Sequence, residues 1–513
     1  MLFNSYPFIF VYLPIVLVGF FLIARASQTG GIFWLGLLSL VFYGYDNPKL
    51  VFLLLVSIVI NFLTAIYLSR LAHRPAKCLL VISISANLLC LGIFKYLNFF
   101  ISTANYFQAE WPVLDILLPV GISFFTFTQI AFLVDVYRGL TKEPLFTHYL
   151  LFVTWFPHLI AGPVLHHSQM MPQFKNAHTY RPSWESFAVG VTFFTIGLFK
   201  KVVLADEFAL LANPLFDDAA LGREPKLLGA WVGSIAYALQ LYFDFSGYCD
   251  MAIGLSRLFN IKLPLNFDSP YRASSMIEFW RRWHITLSRF LRDYLYVPLG
   301  GNRKGTTRRY TNLMVTMILG GLWHGANWTF VLWGALHGSY LLLNHAWRAL
   351  CDNRGWSKAP AMSGLAFKVA SVAITFTAVV VAWVPFRSDN LQAALSIWSG
   401  MLGLNGLTLS PGFAPLLPEV LRDSISYAGF LPELRATTVS ILIWMTLGLT
   451  IVWRLPNTQQ WLALYAPAWD KVATCSGWLT WRPTAAYGFV LGVIFALSVM
   501  LFKKNSPFLY YQF

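Results

Sequence analysis

Apolar runs free of Asp, Glu, Lys and Arg recur from one end of this chain to the other, and most have the length that crosses a hydrocarbon layer. They cover residues 2–24, 26–45, 50–69, 78–94, 116–134, 144–174, 186–199, 227–243, 310–347, 369–386, 436–453 and 483–502. A spanning helix needs about 20 mostly apolar residues, so roughly eleven to thirteen membrane segments follow, allowing for tilt and short re-entrant pieces. The expected fold class is therefore all-α and polytopic. Only 12% of the 513 residues are charged, against roughly 25% in a soluble domain, so the chain cannot clothe itself in water. The stretch after Met1 lacks a basic leader and is too long for a signal-peptide core, and reads as a retained first span.

A formal charge of +15 would suggest nucleic acid in a soluble protein. In a membrane protein it reflects positive-inside loops, and no nucleic-acid partner is expected. Residues 257–309 hold eleven Lys and Arg against Asp268, Glu278 and Asp293, which assigns this segment to the cytoplasmic side. Residues 390–435, rich in Gly, Pro and Leu, fit a loop or interfacial helices. The five cysteines, Cys475 among them, are scattered without CxxC or metal-like spacing, so neither a disulfide framework nor a metal site is expected. Pro119, Gly121, Pro157, Gly162 and Pro163 interrupt two runs. Broken backbone at membrane depth is tolerated where protein or water covers it, so residues 119–125 and 155–165 either line a cavity or form Pro-kinked helices.

Two constellations carry chemistry. The charge-free run 310–347 contains His324, His337 and His345, and ionisable residues inside membrane segments usually face a cavity, a partner or a reaction path. His324 lies in GGLWHGANW, where glycines admit close approach and tryptophans form rigid walls. Trp323, Gly325 and Asn327 are its candidate substrate or channel neighbours. A histidine hydrogen-bonded between helices is the structural alternative. The second constellation is EFWRRWHITLSRFLRDYLYVPLGGNRKG at 278–305. Helical periodicity predicts one face with Trp280, His284, Leu287 and Leu291 and another with Arg281, Ser288 and Arg292. Such a basic helix suits lipid headgroups, and its arginines, Arg281 and Arg282 included, suit an anionic ligand.

WRRWHITLSRFLRDYLYVPLGG followed by GGLWHGANWTFVLWGALHG resembles the paired signature of bacterial membrane-bound O-acyltransferases (the MBOAT family), particularly the alginate O-acetylase branch. WFPHLIAGPVLHHSQMMPQF, QLYFDFSGYCDMAIG and the C-terminal SPFLYYQF are similar to that branch too, and the resemblance covers nearly the whole chain. It implies a single membrane domain, residues 1–513, built around a central channel, with 257–309 as its cytoplasmic-side catalytic segment. It further implies that His324 is the central catalytic histidine. His284 falls where many relatives carry Asn or Asp as a second active-site residue. The expected partners are a periplasmic acetyltransferase or other polysaccharide-modification proteins, membrane lipid and an acetyl donor. That donor is acetyl-CoA or another thioester, acting as substrate with no bound cofactor. The expected location is the bacterial inner membrane.

The chemistry agrees with the residues. An alcohol is a weak nucleophile at neutral pH, and a neutral imidazole can take its proton. No GxSxG elbow, Walker A loop or GxGxxG is present. Asp244, with Gln240 one turn earlier, and His158 near the GP turn are further candidates. A buried structural network is the stronger reading for Asp244 and Gln240. The expected function is O-acetylation of a secreted polysaccharide such as alginate. Cellulose, peptidoglycan or another glycan is the alternative acceptor, and a transporter or noncatalytic scaffold is the alternative class.

Overall fold

The computed structural model describes residues 1–141, 145–356, 359, 362, 364–409, 411–416, 418, 425–427, 430–431, 434–474, 480–502 and 508–509. Cys475 and most of SPFLYYQF lie outside the described residues. The described chain is mainly helical. Among the described residues, five helices are long and apolar enough to cross a membrane: Phe8–Ala26, Lys49–Arg70, His73–Tyr106, Trp184–Ala220 and Leu365–Arg387. Four shorter apolar helices join them, Gln28–Gly44, Ile122–Tyr137, Thr438–Arg454 and Ala485–Met500. This is a multi-pass, all-α membrane protein.

Three runs behave differently from a simple charge-to-charge count. Residues 186–199 continue as helix through Lys200 and Lys201, and 227–243 continue past Asp244 and Asp250 to Leu258. The run 310–347 divides at His324 into Gly305–His324 and Trp328–Asn353. A charge ends a span only when it must reach water, and in the first two runs Lys201, Asp244 and Asp250 are answered inside the protein.

The chain packs as two compact units interleaved in sequence. The first comprises Met1–Phe199, Gly247–Asn266 and Thr458–Gln512. Within it, Asp250 accepts hydrogen bonds from Thr458 Oγ1 at 2.6 Å and Gln459 Nε2 at 3.2 Å. The helix Ile122–Tyr137 starts after Gly121, whose φ of +75° and whose 2.8 Å clearance from the Leu159 carbonyl to a would-be Cβ both require glycine. Residues 155–166 leave the helical conformation, yet 155–165 are buried, and protein groups answer polar atoms among them. Trp155 Nε1 donates to Ser256 Oγ at 3.0 Å, and the Phe156 N–H donates to Ser39 Oγ at 3.3 Å. The segment is therefore a buried irregular turn, not a Pro-kinked helix.

The second unit comprises Lys200–Ser246 and Phe267–Asn457. The described residues of the 390–435 segment include a helix and short strands. Asn390 caps the helix Leu391–Met401 by accepting from the Ala393 N–H at 2.8 Å. Two-residue strands follow, Thr408–Leu409 parallel to Ser426–Tyr427 and Phe430–Leu431 antiparallel to Ala436–Thr437.

Candidate functional site

Gly305–His324 and Trp328–Asn353 form a helical hairpin in the second unit, and glycine sets how closely they meet. A Cβ on Gly321 would stand 2.2 Å from the Phe330 carbonyl oxygen, and one on Gly334 would stand 2.4 Å from that of Met317. Backbone therefore lies against backbone, the packing that small residues permit between membrane helices. At the hairpin's turn a Cβ on Gly325 would meet the Phe330 ring at 2.0 Å. Asn327 caps the second helix, accepting from the Thr329 N–H at 3.1 Å, and its Nδ2 donates to the Asp389 carbonyl at 2.9 Å. Gly325 and Asn327 thus shape the turn that presents His324.

His324 is the last residue of its helix and only 5% exposed. Its ring lies 4.9 Å from Trp323, 5.1 Å from Trp333 and 5.1 Å from Phe386, all edge-on, measured between centroids. His284 is 6.5 Å away and itself 6.2 Å from Trp323. The two histidines singled out in the sequence, 40 positions apart, are brought into one aromatic enclosure.

His284 arrives there by a route that periodicity did not predict. Residues 278–305 are not one helix: Met276–Arg282 ends, Trp283 is extended, His284 takes φ +41°, and Ile285–Leu291 begins. The single face of Trp280, His284, Leu287 and Leu291 does not exist. A continuous helix would point Trp283 and His284 about 100° apart, whereas the break buries both. Trp283 packs on Trp383 at 5.0 Å, and His284 packs on Phe245 at 4.9 Å. A left-handed non-glycine residue is sparsely populated and clusters at functional sites. The first helix is held by its own cap, in which Ser275 Oγ accepts from the Glu278 N–H at 3.3 Å and Glu278 pairs with Arg282 at 2.8 Å. Arg282 also donates to the Asp268 carbonyl at 3.2 Å, whereas Arg281 is exposed. His284 lies outside the long apolar spans, and burial pushes its imidazole down to about 3, keeping it neutral.

Other candidates separate. Asp244 belongs to a buried ionic triad in which Lys201 Nζ reaches Asp244 Oδ1 at 2.7 Å and Asp206 Oδ1 at 3.1 Å. Gln240 is buried one turn before it. His158 lies in the first unit, where its Nε2–H donates to the Phe152 carbonyl at 2.9 Å. Among the described residues no three His, Cys, Asp or Glu side chains cluster as a metal site would require. Sequence reasoning missed the enclosure's other walls. Trp383 and Phe386 sit in an anonymous apolar run, and Trp333 lies nine positions beyond His324; only the i, i+3 spacing of the first two hinted at a shared face.

The chain is similar to known acyltransferases over most of its length. A probable alginate O-acetylase AlgI of Pseudomonas aeruginosa is 36% identical over the whole of both chains. A peptidoglycan O-acetyltransferase of Helicobacter pylori is 43% identical over 80% of this chain and 81% of its own. The profile of MBOAT, the membrane-bound O-acyltransferase family, matches residues 137–382. The chain belongs to the MBOAT family. This MBOAT protein is an O-acyltransferase of the alginate O-acetylase-like branch, and the matched interval contains both His284 and His324. A more distant similarity, 28% identity over 52% of this chain and 68% of its counterpart, links this MBOAT protein to a teichoic acid D-alanyltransferase of Streptococcus thermophilus.

Proposed function

We propose that this protein passes acetyl groups from a cytoplasmic thioester donor, acetyl-CoA or a relative of it, across the bacterial inner membrane for O-acetylation of a secreted polysaccharide of the alginate type. The observation that carries this reading is the His284–His324 pair, 6.5 Å apart in an aromatic enclosure, in an O-acyltransferase whose alginate O-acetylase relatives match it end to end. His324 acts as general base. Its neutral imidazole takes the acceptor hydroxyl proton as the oxygen attacks the thioester carbonyl, the C–S bond breaks, and the imidazolium returns the proton to the departing sulfur. His284, neutral and immobilised, orients the reacting groups or the carbonyl oxygen. A periplasmic acetyltransferase completes delivery to the polymer, and the whole chain works as one membrane domain with 257–309 facing the cytoplasm. Trp323 walls the reacting centre, and Arg281 is the exposed cation nearest His284 in sequence for an anionic donor.

A second reading, acetylation of peptidoglycan, is favoured by the 43% identity to the Helicobacter pylori peptidoglycan O-acetyltransferase. Both readings rest on the same test of His324. General-base catalysis typically contributes about 10²–10⁴-fold, so His324→Ala and His324→Gln should nearly abolish O-acetyl content of the exported glycan at equal protein levels. Mass spectrometry of exopolysaccharide and of peptidoglycan from the same cells separates the two acceptors. Near-normal acetylation by a stably inserted His324→Ala protein defeats the assignment.

A further inference from the structure

Beside the two histidines already described lies a third that the mechanism does not use. His337 stands one helical turn beyond Trp333 on Trp328–Asn353 and has 0% exposure. Rings enclose it: Trp333 at 4.7 Å, Trp280 at 5.2 Å, and Phe279 and Trp383 each at 6.0 Å between centroids. Neither of its ring nitrogens has a hydrogen-bond partner among the described residues, and the same holds for Nε1 of Trp280 and of Trp333.

Folded proteins pair the great majority of buried polar groups, because each one left alone forfeits its hydration. Four such nitrogens on three rings, with Trp280 and Trp333 5.8 Å apart, are poor material for a purely structural core. Phenylalanine would fill that space without the penalty. The chemistry of the donors defines what they suit. An indole N–H only donates, and an imidazole presents one N–H when neutral. The rings around His337 carry no formal charge, so the matching group is an uncharged acceptor oxygen. Trp333 also packs on His324 at 5.1 Å, which sets this cluster against the reacting centre.

We propose that His337, with the indole N–H groups of Trp280 and Trp333, is a recognition subsite for the thioester carbonyl of the acyl donor, holding it beside His324. The inference rests on the acyl-transfer reading above. It makes His337 a positioning residue: it selects a carbonyl-bearing donor, and the proton transfer stays with His324.

The test uses the full-length protein in lipid nanodiscs and two probes, acetyl-CoA and S-ethyl-CoA, in which a methylene replaces the carbonyl. A lost hydrogen bond to an uncharged acceptor weakens binding by about tenfold, so wild type should bind acetyl-CoA about tenfold more tightly than S-ethyl-CoA. His337→Phe keeps an aromatic ring and deletes the polar edge; it should bind both probes alike, with thermal stability unchanged or raised. His337→Gln, which restores a donor, should recover part of the preference. Should His337→Phe fail to fold, Trp333→Phe carries the same comparison. Wild type without a preference, or a folded His337→Phe protein that keeps it, overturns the proposal. Failure of the underlying acyl-transfer reading shows separately, as acetylation that survives His324→Ala.

Discussion

Replacing Lys201 by Met isolates the buried triad from everything around it. Lys201 Nζ lies 2.7 Å from Asp244 and 3.1 Å from Asp206, with side-chain exposures of 4%, 4% and 9%. At an effective dielectric of about 20, two unit charges 4 Å apart interact by about 4 kcal/mol. Removing the ammonium therefore turns two attractions into a repulsion between carboxylates that water reaches poorly. Breaking a buried pair by deleting one partner costs about 3–5 kcal/mol, or a melting-temperature drop of roughly 10 °C in a unit of this size. The same argument sets the control: Lys201→Met combined with Asp206→Asn and Asp244→Asn removes all three charges and should recover most of the loss. Both proteins can be melted in the same detergent, following tryptophan fluorescence. A Lys201→Met protein as stable as wild type, or a triple variant no more stable than the single one, would refute the reasoning.

Gly334→Ala should cost at least about 1–3 kcal/mol by overpacking, because the new methyl would stand 2.4 Å from the Met317 carbonyl; unchanged melting and acetylation together would contradict the described hairpin contact. His284→Asn should retain more acetylation than His284→Ala, since the amide keeps a hydrogen-bonding group, and equal complete loss would show that an imidazole is needed there. The depressed His284 pKa also sets a pH dependence: its contribution is fully present above the unfolded value of 6.5 and is lost as pH falls toward about 3. Wild type should thus lose up to about 1.4 kcal/mol per pH unit more than His284→Asn on acidification, and parallel melting curves would exclude this. A cysteine at Asn302 should resist an impermeant thiol reagent applied from the periplasm if, as proposed from its Lys and Arg excess, 257–309 faces the cytoplasm; ready labelling there reverses the topology.

What was legible in the sequence was chemistry set in unlikely surroundings. His324 announced itself as an ionisable group between glycines in a charge-free run, and the hairpin turn falls where those glycines cluster. His284 was legible as a residue but not in its conformation. The periodicity of 278–291 continues smoothly through Trp283, and only the need to bury Trp283 and His284 together breaks the helix. Lys201 looked like the boundary of a span because Asp244, which answers its charge together with Asp206, is too far along the chain for a local window to contain. Trp383 and Phe386 were invisible for the opposite reason: in an all-apolar run nothing distinguishes a residue that meets lipid from one that meets a histidine.

The glycine contact within the hairpin has a consequence for where its cohesion comes from. At Gly321 and Gly334 the hydrogens occupying the place of a side chain point at carbonyl oxygens of the facing helix, the arrangement of weak Cα–H···O bonds. Such contacts and the dispersion between bare backbones do not depend on excluding water. The hairpin that carries His324 and His337 should therefore hold equally in detergent, in thin bilayers and in thick ones. The adaptable coordinate of the site is then the distance to His284, which a separate pair of one- to two-turn helices carries.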